Sequence, residues 1–159
     1  MDDLLQLSSH LPEVDIDPGR EILHEGERTG AIWVLVSGEL RVSRGTTVVD
    51  WIDQPGAVVG EMAVLLGTAA TASVETSEPS RLRYAANGAD FLADPRVTHL
   101  VAVGLAERLN LVTTYLADLQ DQYGDAPEMD MVQEVLKRLT DRQTRAFDRG
   151  SVPDPDPEV

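Results

Sequence analysis

The sequence predicts a mainly β protein with C-terminal helices, its strands forming an antiparallel sandwich or roll. Three observations carry this. Between Val14 and Tyr84 the chain holds about eight short runs rich in β-branched residues, bounded by Gly, Pro, Asp or Ser. After Ala85 the apolar period lengthens to the three-and-four spacing of helices. The 159 residues are 42% apolar and 26% charged with no cysteine, so the fold must rest on an apolar core and not on disulfides or thiolate metal sites.

Residues 1–13 read as a short amphipathic lead-in, which Leu11-Pro12 ends because the residue before a proline is pushed out of the helical region. Val14 and Ile16 then alternate with polar neighbours, and Arg20–His24 follows a Pro18-Gly19 turn. Glu25-Gly26 and Gly30 punctuate the chain before Ala31–Val36. Ser37-Gly38 breaks that run; Glu39–Arg44 alternates cleanly, and Gly45 turns the chain into Thr46–Ile52, which together read as an antiparallel meander. Gln54-Pro55-Gly56 is a turn and Ala57–Val59 a brief strand. Ala72–Thr76 and Arg81–Tyr84 flank a turn at Glu78-Pro79-Ser80. Trp33 and Trp51 fall at alternating strand positions, as core or edge packing requires.

Asn87 to Leu92 predicts one short helix. Asp94-Pro95 restarts the chain, with Asp94 as N-cap of a long helix reaching about Gln120. Val101, Leu105, Leu109, Val112, Leu116, Leu119 and Tyr123 step by 4, 4, 3, 4, 3 and 4, the spacing of a coiled-coil seam and hence of a homodimer. A second apolar line at Leu100, Val103, Leu111 and Tyr115 is expected to pack on the strands. Gly124 stops the helix, and Asp125 with Glu128 has the spacing of a capping box opening a last helix with Met131, Val132, Val135, Leu136 and Leu139 on one face. The Pro- and Asp-rich tail after Gly150 is expected to be disordered.

The stretch from Gly60 to Val74 stands apart. A Gly-Glu pair leaves a strand, one short apolar turn follows, and then come Gly67-Thr68 and the small residues Ala69, Ala70, Thr71, Ala72 and Ser73. Such a loop leaves backbone N–H groups uncovered and suits a small anion. It resembles the phosphate-binding cassette of cyclic-nucleotide-binding domains, the sensory half of Crp/Fnr-type regulators. The resemblance extends over about residues 12–120 through Pro18-Gly19, Ile22, Glu25-Gly26, Trp33 to Val42, Gln54-Pro55-Gly56 and Val59-Gly60-Glu61. It implies a β-roll, a double-stranded β-helix of jelly-roll type, carrying a long dimerisation helix that Leu105 to Asn110 resemble.

The same resemblance implies a ligand set of Gly60, Glu61, Met62, Ala63, Thr68, Ala70, Thr71 and Ala72. Glu61 would hold a ribose 2′-hydroxyl, and Thr113 and Thr114 on the long helix would read a base edge. The family's phosphate-pairing arginine falls at Ala70, so cyclic AMP or cyclic GMP is expected as a weak or atypical ligand. Candidates to replace that charge are the hydroxyls of Thr68, Thr71 and Ser73, or Arg81 and Arg83 on the next strand. The implied organisation is a roll with its lead-in and short helix over 1–93, the dimerisation helix over 94–123, an accessory helix over 124–149 and a tail over 150–159. The family's transcription factors continue into a helix-turn-helix; residues after the long helix here show no recognition-helix pattern.

Charge and composition narrow the function. With 13 basic against 28 acidic residues, net −15, and no basic run, nucleic acid is not an expected partner and an anionic membrane surface is disfavoured. No uninterrupted apolar run approaches eighteen residues, so no membrane span is expected. The acidic opening Met1-Asp2-Asp3 is unlike a secretory leader, which gives a cytoplasmic expectation. His10, His24 and His99 lack metal-ligand spacing, and no nucleophile–base arrangement or P-loop is evident, so no metal and no enzymatic activity are expected. Two readings follow: a sensory or regulatory module lacking a DNA-binding domain that signals to an unknown protein partner, or a dimeric adaptor with a vestigial pocket.

Overall fold

In the computed structural model, which describes residues 3–126 and 129–148, the chain forms two compact units, Met1–Gly104 and Leu105–Val159. The first opens with a one-turn helix α1 (Leu4–Leu7), capped where the Asp3 carboxylate accepts from the Gln6 N–H at 2.8 Å. Strands β1 (Glu13–Ile16), β2 (Glu21–Leu23), β3 (Ile32–Ser37), β4 (Leu40–Arg44), β5 (Thr47–Ile52) and β6 (Val58–Val59) follow. A short helix α2 (Glu61–Leu66) separates them from β7 (Ser73–Thr76) and β8 (Ser80–Ala85). These are the runs that alternation and turn residues predict.

The antiparallel pairing read over residues 39–52 is that of β4 and β5, whereas the other strands pair across longer stretches of chain. One antiparallel sheet has the order β1-β8-β3-β6 and the other β2-β7-β4-β5, so β3 and β4, neighbours in sequence, lie in different sheets. The corner between them is Gly38, at φ +103°, where a Cβ would lie 2.6 Å from the Ser80 backbone. No other residue fits there, and the chain therefore leaves one sheet for the other instead of folding back in a hairpin. Only β4 and β5 keep the sequential pairing, Leu40 opposite Ile52.

The two sheets enclose Leu23, Leu35, Leu40, Val59, Val74 and Leu82, each at most 6% exposed. Burying a side chain of this kind contributes about 1.5–3 kcal/mol, so this cluster holds the roll closed. Strand β8 alternates as its sequence demands: Leu82 faces the core while Arg81 and Arg83 face outward toward β1. In β3 the alternation slips between Leu35 and Ser37, and Ile32, Val34 and Leu35 are all fully buried. Trp33 stacks on Tyr84 across the ladder, ring centroids 4.4 Å apart, whereas Trp51 on the edge strand β5 is 53% exposed beside Val48 and Val49.

Helix α3 (Gly88–Leu92) is N-capped by Asn87, whose side-chain oxygen accepts from the Asp90 N–H. The Gly88 N–H donates to the Gly30 carbonyl at 2.8 Å and fastens α3 to the start of β3. Helix α4 (Pro95–Tyr123) starts where the Asp94 carboxylate accepts from the Arg96 N–H at 2.9 Å. The Arg96 side chain also hydrogen-bonds that carboxyl and holds it below the usual carboxylate range. Val97 and Val101, one turn apart, are buried, and so the first turns of α4 belong to the roll unit, which ends at Gly104.

Beyond Gly104 the helix belongs to the second unit, with α5 (Asp130–Asp148). Of the second apolar line, expected to be covered, Leu111 is 70% and Tyr115 62% exposed. Leu109, Val112 and Tyr123 are exposed too, while Leu105, Leu116 and Leu119 are half-buried. Measured by length and composition α4 is also apolar enough to cross a membrane, with a mean hydropathy of 1.2 over its best eighteen residues. The expectation of none rested on uninterrupted runs; Glu107 and Arg108 interrupt this one without lowering its mean enough to fail. In α5, Met131, Val135 and Leu139 are exposed along one face. Glu128, the acid of the expected capping box, and the tail after Gly150 lie outside the described residues.

Candidate ligand cassette

Strand β6 pairs with β3, Val59 opposite Trp33, and delivers the chain to Gly60. There φ is +95°, and a Cβ would lie 2.5 Å from the Ala31 carbonyl oxygen. Position 60 therefore admits only glycine, for reasons of both backbone and space. The tight passage places Glu61 in the first turn of α2 at 4% exposure, a buried acid in an otherwise apolar helix. The helix ends where the Thr68 N–H donates to the Ala63 carbonyl at 3.0 Å.

After α2 the loop is sewn to the turn that follows β2. The Ala70 N–H donates to the Glu27 carbonyl at 2.8 Å, and the Ala70 carbonyl accepts from the Gly26 N–H at 2.9 Å. The Ser73 hydroxyl accepts from the Glu25 N–H, and the Thr68 hydroxyl donates to the Ala69 carbonyl at 3.0 Å. No described residue accepts from the backbone N–H groups of Ala69, Thr71 and Ala72. Gly60, Glu61, Met62, Ala63, Thr68, Ala70, Thr71 and Ala72 thus fall on one continuous helix-and-loop segment between β6 and β7.

Of the replacements considered for the missing arginine, two are engaged elsewhere. Arg81 is paired to Asp15 at 2.7 Å, and its hydrogen bond holds the Asp15 carboxyl below the usual range. Arg83 is paired to Glu13 and also bonds the Leu5 carbonyl and the Ser8 hydroxyl. Both project from the outer face of β8, opposite to the core side on which Leu82 is buried. Sequence reasoning missed a different cation. Arg28 Nη1 donates to the Gly67 carbonyl at 3.3 Å, at the end of α2. Nothing local in the sequence marks it, because only the pairing of Gly26 and Glu27 with Ala70 brings its turn to the cassette. Thr113, half-buried, and Thr114, exposed, lie on α4 in the second unit.

The model of the cyclic nucleotide-binding domain matches residues 13–93, which takes in all eight strands, the cassette and α3. The chain belongs to the cyclic nucleotide-binding domain family. Among solved structures this domain is similar to the catabolite activator protein of Thermus thermophilus, with 24% identity and a TM-score of 0.60. That alignment covers 72% of this chain and 57% of the other, so the chain spans little over half the length of that relative. A PKAR CBD2 with Sp-2Cl-cAMPS bound is 19% identical at TM-score 0.54, covering 70% and 80% of the two chains. The N-terminal domain of a transcriptional regulator from Streptomyces coelicolor A3(2) is 21% identical at TM-score 0.50, covering 72% and 86%. At these identities the likeness concerns the fold. No curated protein matches this cyclic nucleotide-binding domain.

Proposed function

We propose that the chain is a regulatory sensor that takes a cyclic nucleotide weakly in the Gly60–Ala72 segment and passes the signal to a protein partner through the helices after the roll. The observation that carries this reading is the set of uncommitted N–H groups at Ala69, Thr71 and Ala72, the last two adjacent, in a loop held by two backbone hydrogen bonds at Ala70. Two adjacent backbone donors without an acceptor in the chain are what a phosphate can use. Glu61, buried at the start of α2 on the same segment, would accept from the ribose 2′-hydroxyl. The family model supports the class of ligand, and the related fold with a cyclic AMP analogue bound agrees with it.

The fit is incomplete on the phosphate side. Ala70 brings no charge, and removing one partner of a desolvated phosphate pair costs roughly 2–5 kcal/mol, or about thirty- to several-thousand-fold in affinity. Weak binding, at tens of micromolar or above, is the consequence. Dimerisation is part of the same proposal. Val101 serves the core, so the seam open to a second copy begins at Leu105 and continues through Leu109, Val112, Leu116, Leu119 and Tyr123.

The adaptor reading keeps one observation in its favour, the absence of a cation at position 70. Thermal melting decides between the two. A ligand bound only by the folded state and held at about ten times its Kd adds roughly 1.4 kcal/mol, which moves the midpoint of a domain this size by about 3–6 °C. Cyclic AMP or cyclic GMP at millimolar concentration should give that rise. An unchanged midpoint with every cyclic nucleotide tried would support the adaptor.

A further inference from the structure

We propose that Arg28, reaching in from the turn after β2, supplies the positive charge for the ligand's phosphate that position 70 does not. This rests on the reading of the cassette as a cyclic-nucleotide site. The backbone of Gly26 and Glu27 is bonded to Ala70 in both directions, at 2.9 and 2.8 Å, so Arg28 is the next residue along from the direct partner of that alanine. Its guanidinium lies at the end of α2 on the Gly67 carbonyl, and the Thr71 and Ala72 donors follow a few residues further along the same loop.

The other arginines with known partners are committed. Arg41 is paired with Glu75, Arg81 with Asp15, Arg83 with Glu13 and Arg96 with Asp94, whereas Arg28 has no carboxylate partner among the described residues. A guanidinium has five N–H donors, and one carbonyl at 3.3 Å is a long bond that leaves most of them open. A phosphate can therefore recruit Arg28 at little cost. In a chain of net charge −15 a local cation is also what lets an anionic ligand approach the site at all. Because the side chain is exposed and screened, its contribution is smaller than that of an arginine built into the cassette.

A bland role also fits the geometry: a cation on a terminal helix carbonyl caps α2 and does nothing else. Calorimetry with cyclic AMP and cyclic GMP, on the full chain at low and high salt, separates the roles. Arg28→Gln, which keeps a donor for the Gly67 carbonyl but loses the charge, should weaken binding by about five- to twentyfold and flatten its salt dependence. Arg28→Lys should recover part of the loss. If Arg28→Gln binds as tightly as the unaltered protein, with the same salt dependence, this proposal is overturned while the cassette reading stands. Unaltered protein that binds neither nucleotide overturns both.

Discussion

Placing an arginine at position 70 should tighten cyclic-nucleotide binding by about thirty- to a thousandfold, the gain of a planar fork matched to phosphate oxygens. The structure explains why that position should respond. Ala70 is held by two backbone hydrogen bonds to Gly26 and Glu27, so a side chain mounted there starts from a fixed backbone and loses little further freedom on binding. It is partly buried, where a charge pair is screened less than at the surface, and the open N–H of Thr71 is next to it. Ala69→Pro is compatible with the change, since no described residue accepts from the Ala69 N–H. Calorimetry on Ala70→Arg checks this. Arg28 should matter less in that background than in the unaltered chain, because the two cations would serve the same phosphate. No gain in affinity, together with no binding by the unaltered protein, would mean that the segment does not admit a nucleotide, and the adaptor reading would replace the sensor.

The second large effect concerns assembly. Leu109→Arg combined with Leu116→Arg should convert dimers to monomers in sedimentation equilibrium. Leu109 is 54% exposed, Val112 49% and Tyr123 57%, an apolar stripe that a single chain leaves in water. Burying a leucine contributes about 1.5–3 kcal/mol, and the double change removes four from a symmetric seam. The dimer Kd should therefore rise by well over a thousandfold. Ligand affinity of the monomer tells whether the helix takes part in the site. Unaltered protein that sediments as a monomer at high concentration would contradict the seam.

The strands of this fold were legible because each is bounded by turn residues and alternates, both of which are local properties. Which strand pairs with which was not. Gly38 ends β3 on the page but does not announce that β4 joins another sheet; that follows from how closely the turn approaches Ser80. The helix caps at Asn87 and Asp94 could be read from residue type and spacing alone. The apolar line through Leu111 and Tyr115 misled for the opposite reason. Its period is helical, and periodicity alone cannot say whether a stripe is covered; Leu111 and Tyr115 are exposed.

The cassette was legible as a segment and illegible as a chemical environment. Gly60 and Glu61 stand out in sequence, and the structure supplies the reasons: a carbonyl too close for any Cβ, and an acid with almost no exposure. Arg81 and Arg83 looked available because they follow the cassette, yet carboxylates from β1, far away in sequence, claim them. Arg28 precedes the cassette by a whole sheet's worth of chain and reaches it only through the pairing of Glu27 with Ala70.

The most direct test of the central claim is a titration of nitrogen-labelled protein with cyclic AMP and with cyclic GMP, followed amide by amide in solution. If the nucleotide sits where we propose, the amide signals of Gly60, Glu61, Thr71 and Ala72 should move together, in fast exchange, with a single weak affinity. Signals that stay still at millimolar nucleotide, or that move only outside residues 60–72, would contradict the account.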